Sequence, residues 1–346
     1  VEFTVGGRFE VRMTPDDVGK RVSVRQVVQG GGAGAKFTDT VGVLTSWDDG
    51  VLWITPRSGA RVRVSESSLV AGKVVPPAPA RRRGPAASFE ELTRVAARAW
   101  PPVESEALGD WLLRASSGFT RRANSVLPLG DPGVPVAEAL ERAKRWYGDR
   151  GLPAYVQAGT GAEGAQERLC AVLEEHGWRR EVSAETRIAA LAPLPDHLGA
   201  DDSRVRLART ADDAWLSRYQ RSGTPGPQVR TVLGGGPSVW FASVPGEGTG
   251  GEPGGVAGTG SGEVPAAIGR CVVDGRWAGF MAVEVAPGHR RRGLATAVMA
   301  ALARRALDEG ASAAWLQVET DNEPARALYD RMGFATHHLY HHFRSA

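Results

Sequence analysis

Val283-Glu-Val-Ala-Pro-Gly-His-Arg-Arg-Arg-Gly-Leu-Ala295 is the run of sequence that decides the fold. Val283 and Val285 alternate with Glu284, as in a half-buried strand, and Pro287-Gly288 then breaks the pattern. From Gly293 to Leu307 the chain is rich in Ala and Leu and carries Arg304 and Arg305 near its end, which predicts a helix. A helix begins with backbone N–H groups that have no intrahelical partner, and its dipole adds partial positive charge there. Arg290, Arg291 and Arg292 stand beside those donors, and Gly293 lets the main chain come close. Strand, basic loop and helix start together make a cradle for a pyrophosphate.

A second block follows one strand later. Ala313 to Thr320 alternates as a strand, and Asn322-Glu-Pro-Ala-Arg-Ala-Leu-Tyr329-Asp-Arg-Met-Gly-Phe334 comes next. The spacing Arg290-x-x-Gly293-x-Ala295 resembles the acyl-coenzyme A signature of the GNAT N-acetyltransferase superfamily, and the second block resembles that family's Asn-x-x-Ala-x-x-Leu-Tyr-x-x-x-Gly-Phe. The resemblance implies an α+β fold and transfer of an acetyl group from acetyl-CoA directly to a primary amine, on a small molecule or a protein. Main-chain N–H groups from Arg291 through Leu294 and Ala295 to Thr296 would hold the pyrophosphate. Those of Val283 and Val285 would meet the pantetheine, and one N–H of this strand would stabilise the developing oxyanion. Tyr329 takes the role of general acid toward the leaving sulfur. Asn322 bonds the cofactor or caps the helix that Pro324 begins. For the base, a carboxylate in mid-strand facing the acceptor cleft points to Glu284, with Glu319 as runner-up. The competing reading is an acyl-CoA-binding regulatory module without turnover, its N-terminal barrel recruiting a protein or nucleic acid.

With 346 residues there is room for two or three domains. Residues 1–75 read as short strands with hairpin signals at Asp49-Gly50 and Ser58-Gly59. They predict a small antiparallel barrel, similar to the Src-homology-3-like domain that precedes the GNAT region in some actinobacterial proteins. A Pro- and Arg-rich linker covers 76–87, and its Arg81–Arg83 run reads as a solvated linker rather than a nucleic-acid contact. Residues 88–200 repeat the strand and helix order of 201–346. Aligning Gly177-Trp178 on Gly333-Phe334 sets Asp131–Pro135 opposite His289–Gly293 and Leu173 opposite Tyr329. The first half therefore lacks the arginines and the tyrosine and is expected to be a structural partner of a catalytic second half. The Gly-rich stretch 245–262 lacks apolar anchors and reads as a disordered insertion.

A formal charge of +3 does not suggest nucleic-acid binding, and no apolar run approaches a membrane span. The first residues form no hydrophobic leader, so a cytoplasmic protein is expected. Cys170 and Cys271 lie far apart, in no metal-ligand spacing. Four of the seven histidines crowd into His337–His342. No carboxylate or cysteine completes a metal site there, and packing of this last strand against the first half is expected.

Overall fold

The computed structural model describes residues 10–28, 36–76, 84–198, 202–219, 226–246 and 264–346. Linker residues 77–83, including Arg81–Arg83, and the Gly-rich residues 247–262 lie outside the described residues.

The N-terminal strands are β1 (Val11–Arg12), β2 (Arg21–Val28), β3 (Lys36–Asp48), β4 (Val51–Pro56), β5 (Val62–Ser65) and β6 (Leu69–Val74). They form one sheet in the order β1-β6-β2-β3-β4-β5 around Val22, Val24, Leu44, Leu52, Ile54 and Val64. Among the described residues no pairing of β1 with β5 closes this sheet. Alternation missed β6, whose Ala71-Gly72 centre offers few apolar side chains, although it pairs with β2 over Val22–Gln26. Arg57 Nη2 donates to His337 O at 2.8 Å and Arg180 Nη2 donates to Gly59 O at 2.7 Å, which moors this sheet to the rest of the chain.

The first half contains α1 (Phe89–Ala99), β7 (Glu104–Leu108), β8 (Trp111–Ala115), β9 (Leu127–Pro128), α2 (Val136–Gly148), β10 (Tyr155–Thr160), α3 (Glu167–Glu175), β11 (Arg179–Ala190) and α4 (Leu194–Leu198). Residues 122–129 read as a strand in the sequence, yet the only strand formed there is β9. The cause is Asn124, whose Oδ1 accepts from the N–H groups of Ser116 and Gly118 at 2.7 and 3.0 Å, holding the preceding chain in a turn. A short polar side chain that bonds the local backbone competes with strand pairing.

The second half runs β12 (Arg206–Ala208), α5 (Asp213–Arg218), α6 (Pro227–Gly234), β13 (Ser238–Val244), β14 (Ala267–Asp274), β15 (Trp277–Val285), α7 (Leu294–Asp308), β16 (Ala313–Glu319), α8 (Glu323–Arg331) and β17 (Ala335–Arg344). Eight strands form the central sheet, β10-β17-β11-β16-β15-β14-β13-β12. Its middle is an exchange. The chain's last strand, β17, lies between β10 and β11 of the first half, and β11 lies between β17 and β16 of the second. Each half thus completes the other's hydrogen-bond ladder, and neither could leave without exposing strand edges.

One face of this sheet carries α1, α5 and α6 over Trp100, Trp215, Phe241, Trp277 and Trp315. The opposite face carries α4, α7 and α8 over Phe280, Val298, Leu302, Leu316 and Phe334. Side chains alternate between the two, as the two-residue period of a strand requires.

Candidate active site

Strand β15 is where the sheet opens. Its parallel pairing with β16 runs from Trp277↔Ala313 to Phe280↔Leu316 and then stops, while both strands continue. On its other edge the pairing with β14 shifts register between Ile268 and Arg270. Ala282 takes a left-handed φ of 53°, and Met281 and Ala282 both pack on the α1 face, which marks a β-bulge. A Cβ on Gly269, opposite the bulge, would sit 2.4 Å from Val298 Cγ1, so only glycine lets α7 pack this closely on β14. The bulge turns β15 away from β16 and leaves a gap between them.

The main-chain phase in that gap can be fixed. Ala286 N–H donates to Ala266 O at 2.8 Å, and Ile268 pairs with Glu284. The main-chain groups of Glu284 therefore turn toward β14, while those of Val283 and Val285 turn toward the edge that β16 has left. Their side chains pack against the α7 face, which puts the Glu284 side chain on the opposite face. On β16 the same alternation sets Gln317 and Glu319 on the α1 face with Trp315, while Leu316 and Val318 face α7.

Beyond the bulge the loop curls through two left-handed residues, Arg291 (φ 64°) and Gly293 (φ 77°), into α7. The first intrahelical bond is Ala297 N–H to Gly293 O at 2.9 Å, so the N–H groups of Leu294, Ala295 and Thr296 have no partner in the helix. The guanidinium groups of Arg290 and Arg291 are exposed and make no ion pair or hydrogen bond among the described residues. This end of the site is rich in donors and positive charge, which is what a pyrophosphate needs.

Helix α8 brings up the third wall. Asn322 accepts from Ala325 N–H at 3.2 Å through Oδ1, capping the helix, with Pro324 in its first turn. Tyr329 packs edge-on against Phe334, ring centroids 6.0 Å apart. Flanking residues of α8 are tied to the first half. Arg187 on β11 bonds Glu185 at 2.5 Å and Asp330 at 2.8 Å, and Arg326 Nη2 donates to Glu185 Oε1 at 2.9 Å. Burial pushes the Glu185 carboxyl up, but bonds from Arg187 and Thr336 and the charge of Arg326 outweigh it and hold its pKa below the usual value. Strand β11 thereby fixes the helix that carries Tyr329.

These walls enclose a cavity of about 740 Å³. Val283, Glu284, Val285, Arg290, Arg291, Gly293, Leu294, Ala295, Thr296, Glu319, Asn322 and Tyr329 all line it; Arg292 does not. The volume, the open strand edge and the donor-rich loop suit an extended thioester with a pyrophosphate at one end. Trp100 and Arg122 of the first half and Arg218, Tyr219 and Gln317 of the second line it too, and sequence reasoning named none of them. Arg122 sits in a 3-10 turn some 195 residues before its partner Gln317, so no local pattern connects them.

The histidine-rich tail is placed elsewhere. His338, His341 and His342 are buried within the central sheet. His341 bonds Ser183 Oγ at 2.7 Å and Thr160 Oγ1 at 3.0 Å, and burial pushes its pKa down to about 3. Among the described residues no group of three or more metal-ligating side chains occurs, and no helix is long and apolar enough to cross a membrane.

Comparison with known proteins adds the family. The model for the C-terminal region of the probable histone acetyltransferase Rv0428c matches residues 86–343. Rv0428c of Mycobacterium tuberculosis (strain ATCC 25618 / H37Rv) is 29% identical over 204 residues, 59% of this chain, and the match spans only 60% of that protein's length. The uncharacterized N-acetyltransferase YobR of Bacillus subtilis (strain 168) is 26% identical over 259 residues, 74% of this chain and 98% of the relative. A solved GCN5-related N-acetyltransferase from Kribbella flavida shares the fold with a TM-score of 0.51 at 17% identity, covering 75% of this chain and 96% of that one.

Proposed function

Since this chain belongs to the Rv0428c C-terminal family of GCN5-related N-acetyltransferases, we propose that it transfers an acetyl group from acetyl-CoA directly to a primary amine. The observation that carries this reading is the convergence of three features on one cavity: the open edge of β15, the unpartnered N–H groups opening α7, and the phenol of Tyr329 on α8.

Acetyl-CoA, when bound, supplies an activated acyl group and a thiol leaving group. The N–H groups of Leu294, Ala295 and Thr296, with Arg290 and Arg291, hold its pyrophosphate. Val283 and Val285 offer main-chain groups to the amide-bearing arm in the way a neighbouring strand would. A β15 N–H lies at the open edge, where it can receive the carbonyl oxygen as charge develops there. Glu284, on the face away from α7, accepts the proton that the attacking amine loses. Glu319 stands on that same face and is the second candidate. Tyr329 gives its phenolic proton to the departing sulfur; a phenol near pKa ~10 does this only when well positioned, which the β11 anchor of α8 provides. Atoms and charge balance: one N–C bond forms, one C–S bond breaks, one proton leaves nitrogen and one reaches sulfur.

Relatives named for histone and streptothricin acetylation agree with an amine acceptor. The test is thiol release from acetyl-CoA by the purified protein across a panel of amines. Acceptor-dependent release supports the proposal. Tight binding of acetyl-CoA with no release from any amine would favour a regulatory binding module instead.

A further inference from the structure

The α1-side wall of the cavity carries chemistry that acetyl transfer by itself leaves unused. Arg122 enters from the first half, where Arg121–Ala123 forms a 3-10 turn. Its Nε donates to Gln317 Oε1 at 2.7 Å and to Tyr340 Oη at 3.0 Å. Its Cζ lies 5.8 Å from the ring centroid of Trp100 and 5.9 Å from that of Tyr340. The guanidinium is thus held by its inner nitrogen and between two rings, losing little further freedom when it binds something. Its outer nitrogens, Nη1 and Nη2, make no hydrogen bond or ion pair among the described residues, and the residue is half-buried. Arg218 is likewise held by its inner nitrogen: its Nε donates to Pro265 O at 2.7 Å, and its outer nitrogens have no partner among the described residues.

We infer that Arg122 is a specificity-determining clamp for an anionic group on the acceptor, so that the amine acetylated here also carries a carboxylate, as an amino acid does. The inference rests on the acetyl-transfer reading and assigns its acceptor class. A fixed guanidinium with both outer nitrogens free matches the two oxygens of a carboxylate. The phosphates of the cofactor do not need this group, because their cradle is at the start of α7, served by Arg290 and Arg291. Glu284 and Glu319 line the same cavity on the α1 face of the sheet and supply the opposite charge. The acceptor wall is therefore dipolar, negative where an amine must lose its proton and positive at Arg122 and Arg218. A zwitterion fits that pattern. A purely cationic amine would meet two guanidinium groups with nothing to neutralise them.

The experiment compares ω-amino acids and α-amino acids with their carboxamides, each pair differing only in that one group. Two readouts are taken. The first is kcat/KM from thiol release. The second is calorimetric binding of the N-acetyl product acid and its amide to the CoA-loaded protein, which needs no turnover. The expected result is a preference for acid over amide of roughly ten- to hundredfold in both, the range for a hydrogen bond to a charged group. In Arg122→Gln the ratio falls to about one, while Arg122→Lys keeps part of it. Equal kcat/KM or equal binding for acid and amide, binding of neither, or a lysine-rich peptide outperforming every acid would overturn the inference. If a variant does not fold, the wild-type acid-to-amide ratio decides by itself. Absence of turnover together with acid-selective binding would count against acetyl transfer and not against the clamp.

Discussion

Gly293→Ala and Gly310→Ala form a matched pair that isolates what the start of α7 does for the cofactor. Both glycines flank the same helix, both are left-handed (φ 77° and 89°), and at both an added Cβ would meet nothing within 4 Å. The cost of each change is therefore conformational, about 1–2 kcal/mol for an L-residue held in that region. In a protein of this size about 1 kcal/mol moves the melting temperature by roughly 2–4 °C, so the two variants should melt together, a few degrees below the parent. Their sites differ. Gly293 lines the cavity beside the N–H groups of Leu294, Ala295 and Thr296 that have no partner in the helix, while Gly310 lies at the far end of the helix. Pushing a phosphate oxygen off one of those donors forfeits a hydrogen bond to a charged group, about 1.5–3 kcal/mol, or roughly ten- to hundredfold in Kd. Titration calorimetry with acetyl-CoA measures it directly. Should Gly293→Ala bind acetyl-CoA as tightly as Gly310→Ala, the cradle is wrongly located.

Three further outcomes are expected. Tyr329→Phe should lower kcat by roughly a hundredfold, the scale of a positioned general acid, with the Kd of acetyl-CoA changed less than about twofold; a parent-like rate would remove Tyr329 from that role. Glu185→Gln leaves Arg187 and Arg326 without their shared carboxylate, and breaking a buried charged network of this kind should cost about 3–5 kcal/mol in chemical denaturation and slow turnover by loosening α8. Stability should also fall in acid. Burial holds His341 near a pKa of about 3, and drives His338 and His342 well below the ordinary 6.5, so all three are neutral when folded. Unfolded, they protonate as pH drops through 6.5, so each one withdraws about 1.4 kcal/mol per pH unit below that value. Urea midpoints at pH 7.5, 6.5 and 5.5 read this directly, and His342→Phe, which removes a ring whose two nitrogens are both buried without a partner among the described residues, should make the slope shallower.

Much of the site was legible because its signals are local. The cradle needs a strand end, a basic loop and a helix start in unbroken order, and Val285 to Thr296 supply them within twelve residues. Asn322 and Tyr329 lie on one helix, and Val283 and Val285 are read from simple alternation. What stayed hidden is non-local. The exchange of β11 and β17 joins strands about 150 residues apart and leaves no trace in either segment, since a buried strand has the same composition whichever neighbours it takes. The bulge at Ala282 lies opposite Gly269, where α7 packs close on β14, and no unusual residue in β15 announces it. Arg122 sits in a segment that alternation reads as strand, and Asn124 turns it into a loop aimed at the cavity. The N-terminal strands were visible, but whether their sheet closes depends on β1 and β5, too short and polar to reveal their partners.

Direct transfer is tested most sharply by mixing the protein with acetyl-CoA labelled in the acetyl carbonyl, with and without a carboxylate-bearing amine. The expected result is that label stays on acetyl-CoA until the amine is added and then moves to its nitrogen, one label per thiol released, with none retained on the protein. Label trapped on the chain, or acetyl-CoA bound and unchanged whatever amine is offered, would contradict the account.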